Sequence, residues 1–197
     1  MNKPLKIAIT GGIGSGKSLA SEFIASLGFS VHSCDEMTTT LYQDREIRKK
    51  LNSLFPTAVG GAPNYDIDRV ALSSLVFNDK AYHKLLSDTV TSLIIDKMDE
   101  ILRSATKTVF IEVPLLFESN CQDKFDKVIV ISRKREDRIK SVIKRSNLTT
   151  EEVESRMNAQ VDYDNMDLSK YIVIKNDGNK QSFIDKLKLA LTHLKLI

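Results

Sequence analysis

A chain of 197 residues with 42% hydrophobic content can bury one substantial core, which excludes a disordered polymer and predicts a single globular chain with a small insertion. Its 29 Lys and Arg against 26 Asp and Glu leave a formal charge of +3, too small to imply a nucleic-acid partner, so any basic site has to be local. No apolar run approaches the ~20 residues that span a bilayer, and the first strand pattern begins at once, so neither a membrane segment nor a signal peptide is expected and the cytoplasm is the expected location. Cys34 and Cys121 show no metal-ligand spacing and read as free thiols.

In chain order, Leu5 to Thr10 reads as a short buried strand, Gly11 to Ser18 as a glycine loop, and Leu19, Phe23 and Ile24 follow at helical spacing. Gly28 to His32 reads as a second strand, which puts Asp35 just past a strand end. Ile47, Leu51, Leu54 and Phe55 predict a helix behind an Asp44 cap, and Pro56 to Asn64 a loop. From Asp66, expected as a cap, to Arg103 the pattern is helical, with a second helix opening at Asn78 or Asp79. Strand patterns return at Thr108 to Ile111, Lys127 to Ile131 and Tyr171 to Ile174. Between the last two, a basic stretch from Arg133 to Arg145 precedes a helix that a Thr149–Glu152 capping box starts and that is expected to run through Val161. The closing helix carries Phe183, Leu187, Leu191 and Leu194 on one face, as core packing.

Five strands alternating with helices predict an α/β fold: a five-stranded parallel sheet covered by helices on both faces. The core is expected over about 1–55, 105–132 and 165–197, a helical insertion over about 60–104, and a helical hairpin over about 133–162.

Gly11-Gly12-Ile13-Gly14-Ser15-Gly16-Lys17-Ser18 fits G-x-x-x-x-G-K-[ST] between a strand and a helix. In that setting backbone N–H groups and the helix N-terminus cradle phosphates, Lys17 reaches the outer phosphates, and the Ser18 hydroxyl is a ligand for Mg2+. Ligands of open α/β sheets bind at the carboxyl ends of the strands, so Asp35 and Glu112 are both candidates to face this loop. For Asp35, deprotonation of an acceptor hydroxyl competes with a plain cap on the helix starting at Glu36. Glu112 is the weaker candidate, since a carboxylate at a strand end is often just solvated or paired.

At about 100° per residue, Ile139, Val142 and Ile143 form an apolar stripe with Arg138 and Arg145 nearly in line at its edge, while Lys140 and Lys144 point away. Arg156 and Gln160, four apart, are expected to share a face of the next helix. Two helices with aligned arginines suit a mobile lid over phosphates, against the alternative of a solvated charged hairpin. Asn176-Asp177-Gly178 is first a turn, though at the end of the sheet where a base could be held. The three histidines, His32, His83 and His193, are assigned no role.

Taken together, Thr10 to Ser18, Asp35, Asp68-Arg69, Val76-Phe77, Pro114-Leu115-Leu116-Phe117-Glu118, Arg145, Arg156 with Gln160, and Asn176 to Gly178 make the chain resemble the dephospho-coenzyme A kinases over nearly its whole length. The resemblance implies a P-loop nucleoside-monophosphate-kinase-like fold, ATP and Mg2+, and phosphorylation of the ribose 3′-hydroxyl of dephospho-coenzyme A. With the readings of the loop and the arginine hairpin it makes Asp35, Lys17, Arg138 and Arg145 the expected catalytic residues, and Gly12 to Ser18 with Asn176 and Gly178 the expected ATP site. For the acceptor it implies Arg69, Phe77, Leu115, Glu118, Arg156 and Gln160 besides Asp35, with the insertion as acceptor domain. Family members usually carry His-Pro after a Leu-Leu step, where this chain has Ser87-Asp88 after Leu85-Leu86, and Ser33 replaces a second aspartate. The alternatives are a P-loop kinase for another small acceptor, such as a nucleoside monophosphate, and a non-kinase nucleotide switch. Against the switch, the chain contains no Asn-Lys-x-Asp.

Overall fold

Short apolar runs form four of five strands, and the mostly polar Ser30-Val31-His32-Ser33 forms the other, in a computed structural model that describes residues 3–146 and 148–197: β1 (Lys6–Thr10), β2 (Ser30–Ser33), β3 (Val109–Glu112), β4 (Lys127–Ser132) and β5 (Ile172–Lys175). They pair in the order β2-β3-β1-β4-β5, every neighbour parallel, with Ile7 beside Phe110 and Ile9 beside Ile129. Parallel strands need crossovers and coverage on both faces. Accordingly Ile7, Ile9, Ile129 and Ile131 on one face and Ala8, Ile111, Val128 and Val130 on the other are all buried. The first set packs with Ala20 and Ile24 of α1 (Lys17–Ser26) and with Phe183, Leu187 and Leu191 of α8 (Lys180–His193).

Two compact units divide the chain: one of residues up to Ser33 and from Ser104 onward, the other Cys34–Arg103. Residues 34–55, which the sequence pattern groups with the core, thus fall in the second unit. That unit holds α2 (Cys34–Leu41), α3 (Arg45–Leu54), α4 (Arg69–Asn78) and most of α5 (Lys80–Ser104), around a small core of Leu51, Phe55, Ala58, Val59 and Leu72. Asp44 caps α3 as expected, accepting from Glu46 N and Ile47 N. The cap of α4 is Asp68, not Asp66, because Ile67 is still extended and bridged to Val59, so the turn into the helix comes later.

In the first unit, α6 (Arg135–Ser146) and α7 (Thr150–Asn158) form a hairpin whose interior is Val142, Val153 and Met157. The Thr149–Glu152 capping box is present. The helix it starts ends at Asn158, short of Val161, with Ala159 as C-cap. Among the described residues no helix is long and apolar enough to cross a membrane.

Candidate active site

The loop Gly11 to Gly16 leaves the carboxyl end of β1, the centre of the sheet, and runs into α1. Its shape relies on glycine for backbone conformation and for close packing. At Gly16, φ is +104°, and a Cβ there would lie 2.5 Å from Asn176 Nδ2, which donates to Ser15 O at 2.8 Å. At Gly12 a Cβ would lie 2.3 Å from Arg138 Nη1. Lys17 is buried, and its Nζ donates to Gly11 O at 2.8 Å and Gly12 O at 3.2 Å. Ser15 Oγ is buried without a hydrogen-bond partner, a donor available within the cradle.

Glu112 ends β3 on the α1 side of the sheet and is buried. Ser21 Oγ donates to its Oε2 at 2.7 Å and Ser18 Oγ to its Oε1 at 3.3 Å. A serine hydroxyl backed by a carboxylate is a hard, all-oxygen set, which fits a Mg2+ ion that keeps most of its ligands as water.

Arg138 and Arg145, expected as a matched pair, differ. Arg138 is buried, 5% exposed, and its Nη2 donates to Asp164 Oδ2 at 2.7 Å, while its Nε has no partner. Arg145, in the last turn of α6, is exposed, as are Lys140 and Lys144. Arg156 and Gln160 do not share a helix face, because α7 stops between them; Arg156 is exposed and Gln160 Oε1 accepts from Ile13 N–H at 2.7 Å. Glu118 Oε1 accepts from Val161 N–H at 2.8 Å, and Leu115 is half exposed. Gly178 lies in the turn between β5 and α8, where Asp177 pairs with Lys186.

In the second unit, Asp35 lies in the first turn of α2, which begins at Cys34, so it is not the cap of a helix starting at Glu36. Its side chain is exposed. Arg69 opens α4 and Phe77 lies in its last turn, 89% exposed. Ser87-Asp88 continues the helix α5, where Asp88 pairs with Lys84 at 2.6 Å.

Sequence reasoning missed Arg133, whose Nη1 donates to Gly14 O at 3.3 Å, and the pair Tyr163 and Asp164. Tyr163 OH and Thr10 Oγ1 share a hydrogen bond of 3.1 Å, and burial, partly offset by that bond, pushes the phenol up to about 12. The one signal for it was an aromatic residue set in the polar run Asp162 to Asn165.

A parallel sheet with a lysine-bearing glycine loop at its central strand, a hydroxyl and a carboxylate at the head of α1 and a buried arginine against the loop define a P-loop kinase. The Dephospho-CoA kinase (CoaE) family matches residues 5–182, and the chain belongs to that family. A Dephospho-CoA kinase of Thermus thermophilus is 33% identical over 195 residues, 97% of this chain and 92% of the relative. Among solved structures, TT1252 from Thermus thermophilus superposes with a TM-score of 0.79 at 33% identity, covering 98% of this chain and 99% of its own. The Dephospho-CoA kinase from Campylobacter jejuni gives 0.69 at 28% identity, with 96% of each chain covered. The protein is thus an ATP-dependent kinase.

Proposed function

We propose that this kinase transfers the γ-phosphoryl group of ATP to the ribose 3′-hydroxyl of dephospho-coenzyme A in the cytoplasm, giving coenzyme A and ADP. The observation that carries the donor half is the loop itself: Lys17 buried beneath the Gly11 and Gly12 carbonyls, with Arg138 packed on Gly12. Lys17 exchanges those carbonyls for phosphate oxygens, and backbone N–H groups from Gly14 to Ser18 hold the β-phosphate. Ser18 and, through its hydroxyl, Glu112 would hold Mg2+, which when bound neutralises the charge of the phosphates. Arg138 and Arg145 are the cations for the transferring group, Arg138 already placed and Arg145 brought in with the substrate.

Asp35 takes the proton of the acceptor hydroxyl as its oxygen attacks the γ-phosphorus. An exposed carboxylate in the first turn of a helix can be reached by a ligand, and the role is supported by that exposure and by the family resemblance. Asn176 and Gly178 are proposed at the adenine, Arg69, Phe77, Leu115 and Arg156 at the acceptor. The test is an acceptor screen with ATP and Mg2+, comparing dephospho-coenzyme A with AMP, CMP and shikimate. Preferred turnover of dephospho-coenzyme A supports the proposal, and preferred turnover of any other acceptor replaces it.

A further inference from the structure

Past the end of α7 the chain returns three times within five residues to the phosphate loop or to residues that adjoin it. Gln160 Oε1 accepts from Ile13 N–H at 2.7 Å, Tyr163 OH shares a hydrogen bond with Thr10 Oγ1, and Asp164 holds Arg138 against Gly12. The first of these is the informative one. Ile13 is fixed at two points, because its side chain packs on the Val142, Val153 and Met157 interior of the α6–α7 hairpin while Gln160 takes its amide. The carbonyl of the same peptide, Gly12 O, accepts from Ser15 N–H at 3.1 Å and from Lys17 Nζ at 3.2 Å, so Gln160 is what fastens its N–H side. If its N–H lost that acceptor while partly buried, the peptide would be held from its carbonyl side alone, and a tilt about that side in search of another acceptor would change the curvature of the loop.

We infer that Gln160 is a positioning residue for the donor phosphates: by holding the Ile13 amide it sets the phosphate loop before ATP arrives. Family resemblance places Gln160 with the acceptor; the geometry points to the donor side. The inference rests on reading Gly11 to Ser18 as the ATP site. It also makes the hairpin something other than a free flap, since its interior and the residue that follows it are both fastened to Ile13.

The test compares wild type with Gln160→Met, which keeps length and bulk but loses the amide oxygen, and with Gln160→Glu, which keeps an acceptor. Backbone amide exchange, followed without nucleotide, is expected to quicken about fivefold to tenfold at Ile13 in Gln160→Met and to stay slow in Gln160→Glu, as loss or retention of one hydrogen bond implies. In steady-state kinetics Gln160→Met is expected to raise KM for ATP by a similar factor while KM for the acceptor stays within about twofold. Unchanged exchange at Ile13, or a rise confined to the acceptor KM, overturns the inference. Should dephospho-coenzyme A prove not to be the acceptor, calorimetric ATP affinity of the same variants still decides the role of Gln160, so the two failures are separable. Gln160→Ala replaces the Met variant if that one does not fold.

Discussion

The two units of this chain treat their polar residues in opposite ways. In the sheet-bearing unit, Lys17, Glu112 and Arg138 are buried, each in hydrogen bonds or against a glycine, around one loop. In Cys34–Arg103 the residues proposed for the acceptor, Asp35, Arg69 and Phe77, lie at the surface, beside a cluster of five buried side chains. Burying charge is costly unless every group is matched, so a site made that way is shaped by its own protein. A surface site is shaped by what binds to it. The donor half is therefore expected to be preorganised, and the acceptor half to depend on its ligand.

Four experiments bear on this contrast. Lys17→Ala removes the central charge of the preorganised half, and turnover is expected to fall by more than about 10⁴-fold, as for other losses of charge stabilisation at a transferring phosphoryl group. Substantial residual turnover in a steady-state assay would mean the loop is not the ATP phosphate site. On the other side of the contrast, Asp35→Asn is expected to lower kcat on the order of 10²- to 10⁴-fold with ATP affinity largely kept. An unchanged kcat would leave Asp35 a surface carboxylate and nothing more. Glu112→Gln is expected to cost about 10- to 100-fold in activity, with the deficit shrinking as Mg2+ is raised, as for a group that supports a metal ligand. A deficit indifferent to Mg2+ would limit Glu112 to holding Ser21.

The smallest effect concerns stability. Because the Tyr163 phenol is pushed up to about 12, the unfolded chain ionises this group from about pH 10 while the folded chain keeps it neutral, so its contribution is intact below pH 10 and is lost as pH rises toward 12. Denaturant unfolding across that range is expected to show wild type losing up to about 3 kcal/mol more than Tyr163→Phe. Parallel curves would show that the contact between Tyr163 and Thr10 opens freely, and with it part of the preorganisation.

How much of this was readable from the sequence follows the same division. Strands and helices came through because apolar periodicity and caps are local: Asp44, Thr149 with Glu152, and the Phe183, Leu187, Leu191 stripe all fall where expected. The phosphate loop was readable because its motif and its context are contiguous. What surrounds the loop was not. Arg138 and Arg145 look equivalent on a helical wheel, and only the descent of the chain through Asp164 separates a buried ion pair from an exposed side chain. Gln160 read as the partner of Arg156 because nothing in Asn158-Ala159-Gln160 announces a helix end. The Asp68 cap was displaced by two residues because a single bridge between Val59 and Ile67 keeps the chain extended, and such a bridge leaves little trace in composition.

The bond from Asn176 Nδ2 to Ser15 O spans 161 residues, and that from Ile13 N–H to Gln160 spans 147. A chain growing from its N-terminus therefore carries the whole motif Gly11 to Ser18 long before it can shape it, because the residues that finish the loop are synthesised well after it. A fragment ending before Gln160 would have the motif without these two late restraints.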